Sequence, residues 1–142
     1  MSDPLYKREI LRLAADAHGA GELPVPHAHG TAHNPACGDK VEMDIVTDAS
    51  GRIAALAHRT RACVLAQASA AILGREAKGR TRADIEKLHE DVQAMLADPG
   101  EPPPAPFGAY AAFEGATAFR NRHKCVLLPI EALLAAFEAK QE

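Results

Sequence analysis

An alternating segment followed by a turn is the feature that most constrains the fold of this chain. Residues 41–45 alternate between apolar and acidic side chains, the period of two that a strand with one buried face requires. Asp, Ser and Gly supply a turn at 48–51, and residues 52–59 then return as a second strand whose alanines leave its inner face undetermined. The pattern predicts a β-hairpin whose far end leads to Cys63.

Hydrophobic spacings of three and four residues predict helices elsewhere. Asp3 followed by Pro4 is a favourable helix start, and Thr81 with Asp84 forms a variant of the capping box. Pro129 fits the first turn of a C-terminal helix. The predicted helices cover residues 3–17, residues 63–73, the segment from Thr81 to Leu96, and the segment that begins at Pro129. Glycines at 19 and 21, and at 74 or 79, are expected to end the first two.

Three connecting segments complete the prediction. Residues 21–33 are rich in glycine, proline and histidine, and are expected to be loop with one short edge strand at 23–25. Residues 98–106 contain five prolines in nine positions, which predicts a stiff surface connector without helix or sheet. Residues 107–121 have weak periodicity, which favours a short helix or an ordered loop packed on the core.

Composition excludes several classes of function. The length of 142 residues predicts one domain, 1–142, with one hydrophobic core. A net charge of -3 and an aromatic content of 4% without tryptophan argue against nucleic-acid binding. Membrane-spanning length, a signal peptide, a phosphate-binding glycine loop and a serine-hydrolase motif are all absent from the sequence. We therefore expect a cytoplasmic protein with no membrane or nucleic-acid partner.

The three cysteines lie at the boundaries of predicted elements. Cys37 and Asp39 share a loop containing proline and glycine, Cys63 opens an apolar run, and Cys125 precedes the helix expected at Pro129. An odd number of cysteines in a chain expected in the cytoplasm argues against a disulfide framework. Three thiols and one carboxylate are the four ligands that zinc or an iron–sulfur cluster needs. The sequence therefore predicts one site built from Cys37, Asp39, Cys63 and Cys125.

Charges near the cysteines fit a site that binds thiolates. A cysteine in the first turn of a helix is favoured as the thiolate by the helix dipole, and Cys63 is predicted there. Arg122 and Lys124 flank Cys125, where they are predicted to stabilise its charge or to dock a partner; a solvated basic turn is the alternative. Each cysteine taken singly could also be a small buried apolar residue.

The histidines are a weaker signal. His27, His29 and His33 could bind a metal, but polar loop histidines are more often solvated, which is the interpretation we favour. A cysteine hydrolase that pairs Cys63 with a histidine has little support, because no histidine lies in a recognisable partner motif.

Three motifs in order resemble a known family. Asn-Pro-x-Cys-Gly-Asp at 34–39, Ala-Cys-x-Leu-Ala-Gln-Ala-Ser at 62–69 and Arg-x-x-Cys at 122–125 resemble the signatures of the U-type iron–sulfur cluster assembly scaffolds, namely IscU, SufU and the N-terminal domain of NifU. The resemblance covers the chain from about Asn34 to the C-terminus. It implies an α+β fold with a small three-stranded antiparallel sheet packed against several helices.

The resemblance also implies roles for individual residues. Cys37, Asp39, Cys63 and Cys125 become the ligands of a metal or cluster, Cys37 becomes the acceptor of persulfide sulfur, and Arg122 becomes the adjacent basic residue. In place of the family's glycine, Ala62 precedes the second cysteine, and a histidine-rich segment replaces the usual approach to the first motif.

The SufU branch is the best match within the family. The second and third cysteines are separated by more residues than in IscU-type chains, and Lys124 replaces the histidine that precedes the last cysteine there. The branch implies zinc at rest, a SufS-like cysteine desulfurase as partner, a transient [2Fe-2S] cluster and downstream cluster acceptors. Two alternatives stay open: a zinc-dependent sulfurtransferase that activates the desulfurase without carrying a cluster, and a structural zinc-binding module.

Overall fold

The computed structural model describes residues 8–35, 38–98 and 101–140, and these form helices around one small sheet. The elements are α1 (Arg8–Asp16), β1 (Ala28–Asn34), β2 (Asp39–Thr47), β3 (Ile53–Arg61), α2 (Val64–Glu76), α3 (Arg82–Ala97), a 3-10 helix (Gly108–Ala116) and α4 (Arg120–Lys140). The strands form an antiparallel sheet in the order β1-β2-β3. The predicted α+β fold with a three-stranded antiparallel sheet is confirmed.

The predicted hairpin is β2 and β3. Its strands pair antiparallel, with Met43 opposite His58 and Ile45 opposite Leu56. Asp48 closes the turn, because its side-chain carboxylate accepts hydrogen bonds from the backbone N–H groups of Ser50 and Arg52 at 2.9 and 3.0 Å. The apolar residues of β2 at 41, 43 and 45 are fully buried, as the alternation predicted.

The third strand lies at a position that the sequence analysis did not predict. The prediction of a strand at 23–25 is wrong. Strand β1 instead occupies Ala28–Asn34, within the histidine-rich segment that was expected to be loop. Gly30 explains why no apolar alternation marked it, since β1 packs so closely on α4 that a Cβ at Gly30 would lie 2.2 Å from the backbone nitrogen of Ala136. The Leu23 N–H donates to Asp44 Oδ2 at 3.2 Å and takes no part in a strand.

Helices α2 and α3 agree closely with the prediction. Cys63 is the N-cap of α2, so the helix begins where the motif placed it. It continues through Gly74 to Glu76, because Gly74 is needed for a close crossing: a Cβ there would lie 2.0 Å from the His18 carbonyl oxygen. The predicted capping box of α3 is present, with both hydrogen bonds formed between Thr81 and Asp84.

The prediction for the C-terminal helix is wrong at its start. Helix α4 begins at Arg120, nine residues before Pro129, so Cys125 lies inside the helix and not ahead of it. An interior proline removes one helical hydrogen bond, the one to the carbonyl of Cys125. Packing outweighs that loss, because the apolar residues around the proline, Val126, Leu128 and Ile130, are completely buried.

The remaining segments follow the prediction in part. The region 107–121 contains the 3-10 helix, whose Tyr110 and Phe113 are fully buried, and residues 101–106 of the proline connector form neither helix nor strand. Helix α1 covers residues 8–16 of the predicted 3–17 helix, while residues 3–7, including the expected cap at Asp3 and Pro4, lie outside the described residues. Among the helices that the structure describes, none has the length and apolar character needed to cross a membrane.

Candidate metal centre

Three elements bring a carboxylate and two thiols together. Asp39 is the first residue of β2, Cys63 caps α2, and Cys125 lies in the second turn of α4. Their ligand atoms all lie within 4.8 Å of one another, and within the described ranges this is the one cluster of three or more potential metal ligands. The centre lies at the end of the sheet where β1 and β2 meet, since Asn34 pairs with Asp39 there.

The fourth predicted ligand, Cys37, lies outside the described residues. The residues next to it define the end of the β1–β2 connection. The Gly38 N–H donates to the Asn34 carbonyl at 2.9 Å, and Gly38 has a φ of +73°, a conformation that favours glycine. This turn leads directly into Asp39, which is 9% exposed and whose carboxylate lies beside Cys125 of α4.

The donor set fits a tetrahedral metal. With Zn–S bonds of about 2.3 Å and Zn–O bonds of about 2.0–2.2 Å, a tetrahedral ion separates a sulfur and an oxygen ligand by roughly 3.6 Å. Cys125 Sγ lies 3.7 Å from Asp39 Oδ2, so these two atoms need little movement to share one ion. Two thiols and a carboxylate also match the ligand types that zinc and iron accept in proteins.

The surroundings of Cys63 favour its thiolate. The neighbouring Cys125 thiol, together with the backbone N–H groups of Ala66 and Leu65 at the start of α2, lowers the pKa of Cys63 to about 6, against the effects of burial and of the Asp39 charge. This agrees with the predicted effect of a helix N-terminus on a cysteine. Cys63 is therefore the more readily ionised of the two thiols.

The Cys125 thiol donates a hydrogen bond to Asp39 Oδ2 at 3.7 Å. The neighbouring Cys63 and burial raise the pKa of Cys125, while the Arg122 guanidinium beside it acts in the opposite direction. Arg122 thus lies next to the thiol. Lys124 does not, because its ammonium group bonds to Glu131 on the next turns of α4.

The three histidines of the N-terminal segment are not part of the centre. His29 Nδ1 lies 2.8 Å from Asp44 Oδ1, and His27 Nδ1 accepts a hydrogen bond from the Thr47 N–H at 3.1 Å. His33 lies opposite Lys40, one position before Asn34. The side chains of His27 and His29 thus form hydrogen bonds to residues of β2, whereas the sequence analysis favoured solvated loop histidines.

Two polar residues of the second motif have roles that the sequence analysis did not assign. Gln67 Nε2 donates to the Ala62 carbonyl at 2.9 Å and so fixes the peptide before Cys63. Ala17 is the only non-glycine residue with a positive φ in the part of the chain that the structure describes, so Ala62 has an ordinary backbone and needs no glycine. Ser69 bonds to α4. Both residues were visible in the motif at 62–69, but only packing shows their partners.

Solved structures share this fold over nearly the full chain. A NifU-like protein (N-terminal) from Brucella abortus is 27% identical, with a TM-score of 0.91 and coverage of 98% of this chain and 96% of that one. A putative iron–sulfur cluster assembly scaffold protein for the SUF system from Fervidobacterium islandicum AW-1 is 22% identical, with a TM-score of 0.85 and coverage of 96% and 99%. A search of curated proteins gives no match.

The class defined by this fold and this cluster of potential metal ligands is that of the U-type scaffolds. The family model of the NifU-like N terminal domain matches residues 5–126, which include all three motifs. The chain belongs to the family of NifU-like N-terminal domains. The resemblance predicted from the motifs is therefore confirmed.

Proposed function

We propose that this protein is an iron–sulfur cluster assembly scaffold that accepts sulfur from a cysteine desulfurase. The observation that carries the proposal is the convergence of Asp39, Cys63 and Cys125 from three separate elements, with ligand atoms within 4.8 Å of one another. Membership of the NifU-like family supports the same function. Cys37, two residues before Asp39, is the fourth ligand in this proposal.

The mixed ligand set suits a protein that releases its cargo. Three thiolates are soft ligands that hold zinc or cluster iron well, whereas an aspartate oxygen is harder and matches cluster iron less well. A cluster held by three cysteines and Asp39 should therefore dissociate more easily than one held by four cysteines. Iron and sulfide are the substrates of this centre, and downstream apoproteins receive the product.

Sulfur reaches the centre by thiol exchange. The thiolate of Cys37 attacks the terminal sulfur of the desulfurase persulfide, the desulfurase S–S bond breaks, and the electron pair stays on the desulfurase thiolate. One S–S bond is lost and one is formed, so the step needs no external oxidant. Arg122, which lies beside Cys125, supplies positive charge where thiolates accumulate.

Zinc at rest and membership of the SufU branch are the finer parts of the proposal. The long interval between Cys63 and Cys125 and the presence of Lys124 support that branch. A SufS-like desulfurase that competes for the zinc would free a thiolate for the transfer. A zinc-dependent sulfurtransferase that carries no cluster would use the same ligands, and a structural zinc module would use them only to stabilise the fold.

Anaerobic reconstitution separates these functions. The protein is incubated with ferrous iron, a cysteine desulfurase, cysteine and a thiol, while its visible absorption and the sulfide produced are followed. A chromophore that transfers to an apo-ferredoxin supports the scaffold. Stimulated desulfurase turnover without a chromophore contradicts it in favour of the sulfurtransferase.

Variants test the ligand assignment. Cys63→Ser and Asp39→Ala are expected to lower the yield or the lifetime of the bound cluster while the apoprotein stays folded. Asp91→Ala is the matched control, because it removes a carboxylate that bonds to the exposed Lys87 on α3. Equal chromophore yields from Asp39→Ala, Cys63→Ser and the control would refute the assignment.

A further inference from the structure

We propose that Ser69 is a positioning residue that sets the separation of the two thiols, an inference that rests on the proposed metal-binding function. The hydrogen bonds of Ser69 are made with Val126 and Tyr110. Ser69 lies on α2 and is completely buried. Its hydroxyl joins α2 to α4, the two helices that carry Cys63 and Cys125.

The hydrogen bonds around Ser69 are complete. Ser69 Oγ donates to the carbonyl oxygen of Val126 at 2.7 Å and lies 2.9 Å from the Tyr110 hydroxyl. Because the serine proton is used on Val126, the Tyr110 hydroxyl is the donor, and it is shared between Ser69 Oγ and the Ser69 backbone carbonyl oxygen, which lies at 3.3 Å. Burial raises the pKa of Tyr110, so this hydroxyl keeps its proton at neutral pH. A buried and fully paired network of this kind restrains the backbone to which it bonds.

The network bonds to α4 directly beside a proposed ligand. Val126 follows Cys125 in the chain, so the Val126 carbonyl belongs to the same turn of α4 as the Cys125 thiol. On α2, Ser69 lies six residues after Cys63, which is roughly 9 Å along a rigid helix. The bond therefore transmits the position of α2 to the turn of α4 that presents Cys125.

Pro129 explains why this turn needs an external restraint. A proline within a helix has no N–H for the carbonyl four residues earlier, and here that carbonyl belongs to Cys125. The helical hydrogen-bond ladder is thus interrupted at the residue that carries the thiol. The Ser69 bond to the next carbonyl supplies a fixed attachment from another helix at the same turn.

Metal binding is sensitive to this attachment. Metal–ligand distances are set to within about 0.2 Å, so a small shift of α4 relative to α2 removes a thiol from its best position. Residues that orient metal ligands from outside the coordination shell change metal affinity by about 10–100-fold when they are replaced. Since Ser69 acts through the backbone, we expect a loss of about 10-fold for Ser69→Ala, at the lower end of that range.

The test is a titration of the full chain with cobalt(II) alone, followed by its visible d–d and sulfur-to-cobalt bands. Ser69→Ala removes the bond to α4, while Tyr110→Phe leaves that bond in place and removes the hydrogen bonds of the Tyr110 hydroxyl to Ser69 Oγ and to the Ser69 carbonyl. Thr81→Ala is the matched control, because it weakens the fold at the distant capping box of α3. We expect an affinity loss of about 10-fold with altered bands for Ser69→Ala, a smaller loss for Tyr110→Phe, and wild-type affinity and bands for Thr81→Ala.

The outcomes separate the inference from the proposed function. If Ser69→Ala is less stable but binds cobalt with wild-type affinity and spectrum, the residue is merely structural and the inference is wrong. If Ser69→Ala does not fold, Tyr110→Phe decides, and unchanged cobalt affinity in that variant overturns the inference. A wild-type chain that binds no cobalt overturns the metal centre itself.

Discussion

Replacing Gly30 with alanine tests the packing that brings the thiols and the carboxylate together. Gly30 lies in the middle of β1 and faces α4, and an added Cβ would lie 2.2 Å from the Ala136 nitrogen and 2.3 Å from the Ala132 oxygen. Ordinary contact begins at 3.4 Å, so the strand and the helix have to separate by about 1.2 Å. Both neighbours are backbone atoms of a buried helix, which cannot turn aside as a side chain would.

The expected loss of stability is about 3 kcal/mol, the upper end of the usual cost of overpacking. With a urea m-value of about 1.5–2 kcal/mol/M, the unfolding midpoint of the apoprotein should fall by roughly 1.5–2 M. Gly108→Ala is the matched control, because a Cβ there meets no atom within 4 Å and the residue has no positive φ. A Gly30→Ala midpoint within about 0.3 M of that of the control would refute the packing of β1 on α4.

Two further variants test other parts of the account. Arg59, with hydrogen bonds from His29 and the Leu23 N–H, lowers the pKa of Asp44 to about 2 from 3.8, so these interactions stabilise the fold above about pH 4 and lose this effect as the pH falls toward 2. Asp44→Asn should therefore cost about 2 kcal/mol at pH 7 and less at pH 3, measured by urea unfolding, and a difference that does not depend on pH contradicts the pairing. Thr81→Ala should cost about 1 kcal/mol through loss of the capping box, and an unchanged midpoint contradicts that role.

Local signals in the sequence were sufficient for about half of the fold. The hairpin, the start of α2 at Cys63 and the capping box at Thr81 each depend on residues close together in the chain, and each was predicted correctly. The motif residues Asp39, Cys63 and Cys125 were also predicted to meet, and their ligand atoms do.

The errors arose where tertiary packing outweighs local preference. Strand β1 has a glycine and alanines on the face that contacts α4, so no hydrophobic alternation marks it. Helix α4 continues through Pro129 because burial of its neighbours outweighs the lost hydrogen bond. Gln67 and Ser69 bond to the carbonyl groups of Ala62 and Val126. These contacts form only in the folded chain, so the motif at 62–69 showed the two residues but did not predict their partners.

X-ray absorption at the zinc edge of zinc-loaded protein tests the central claim most directly. The account predicts one zinc per chain with about three sulfur ligands near 2.3 Å and one oxygen ligand near 2.0–2.2 Å. Replacing Cys37 with serine should remove one sulfur, and replacing Asp39 with alanine should change only the oxygen shell. A shell of nitrogen and oxygen alone, or a sulfur count that Cys37→Ser and Cys63→Ser leave unchanged, would contradict the proposed centre.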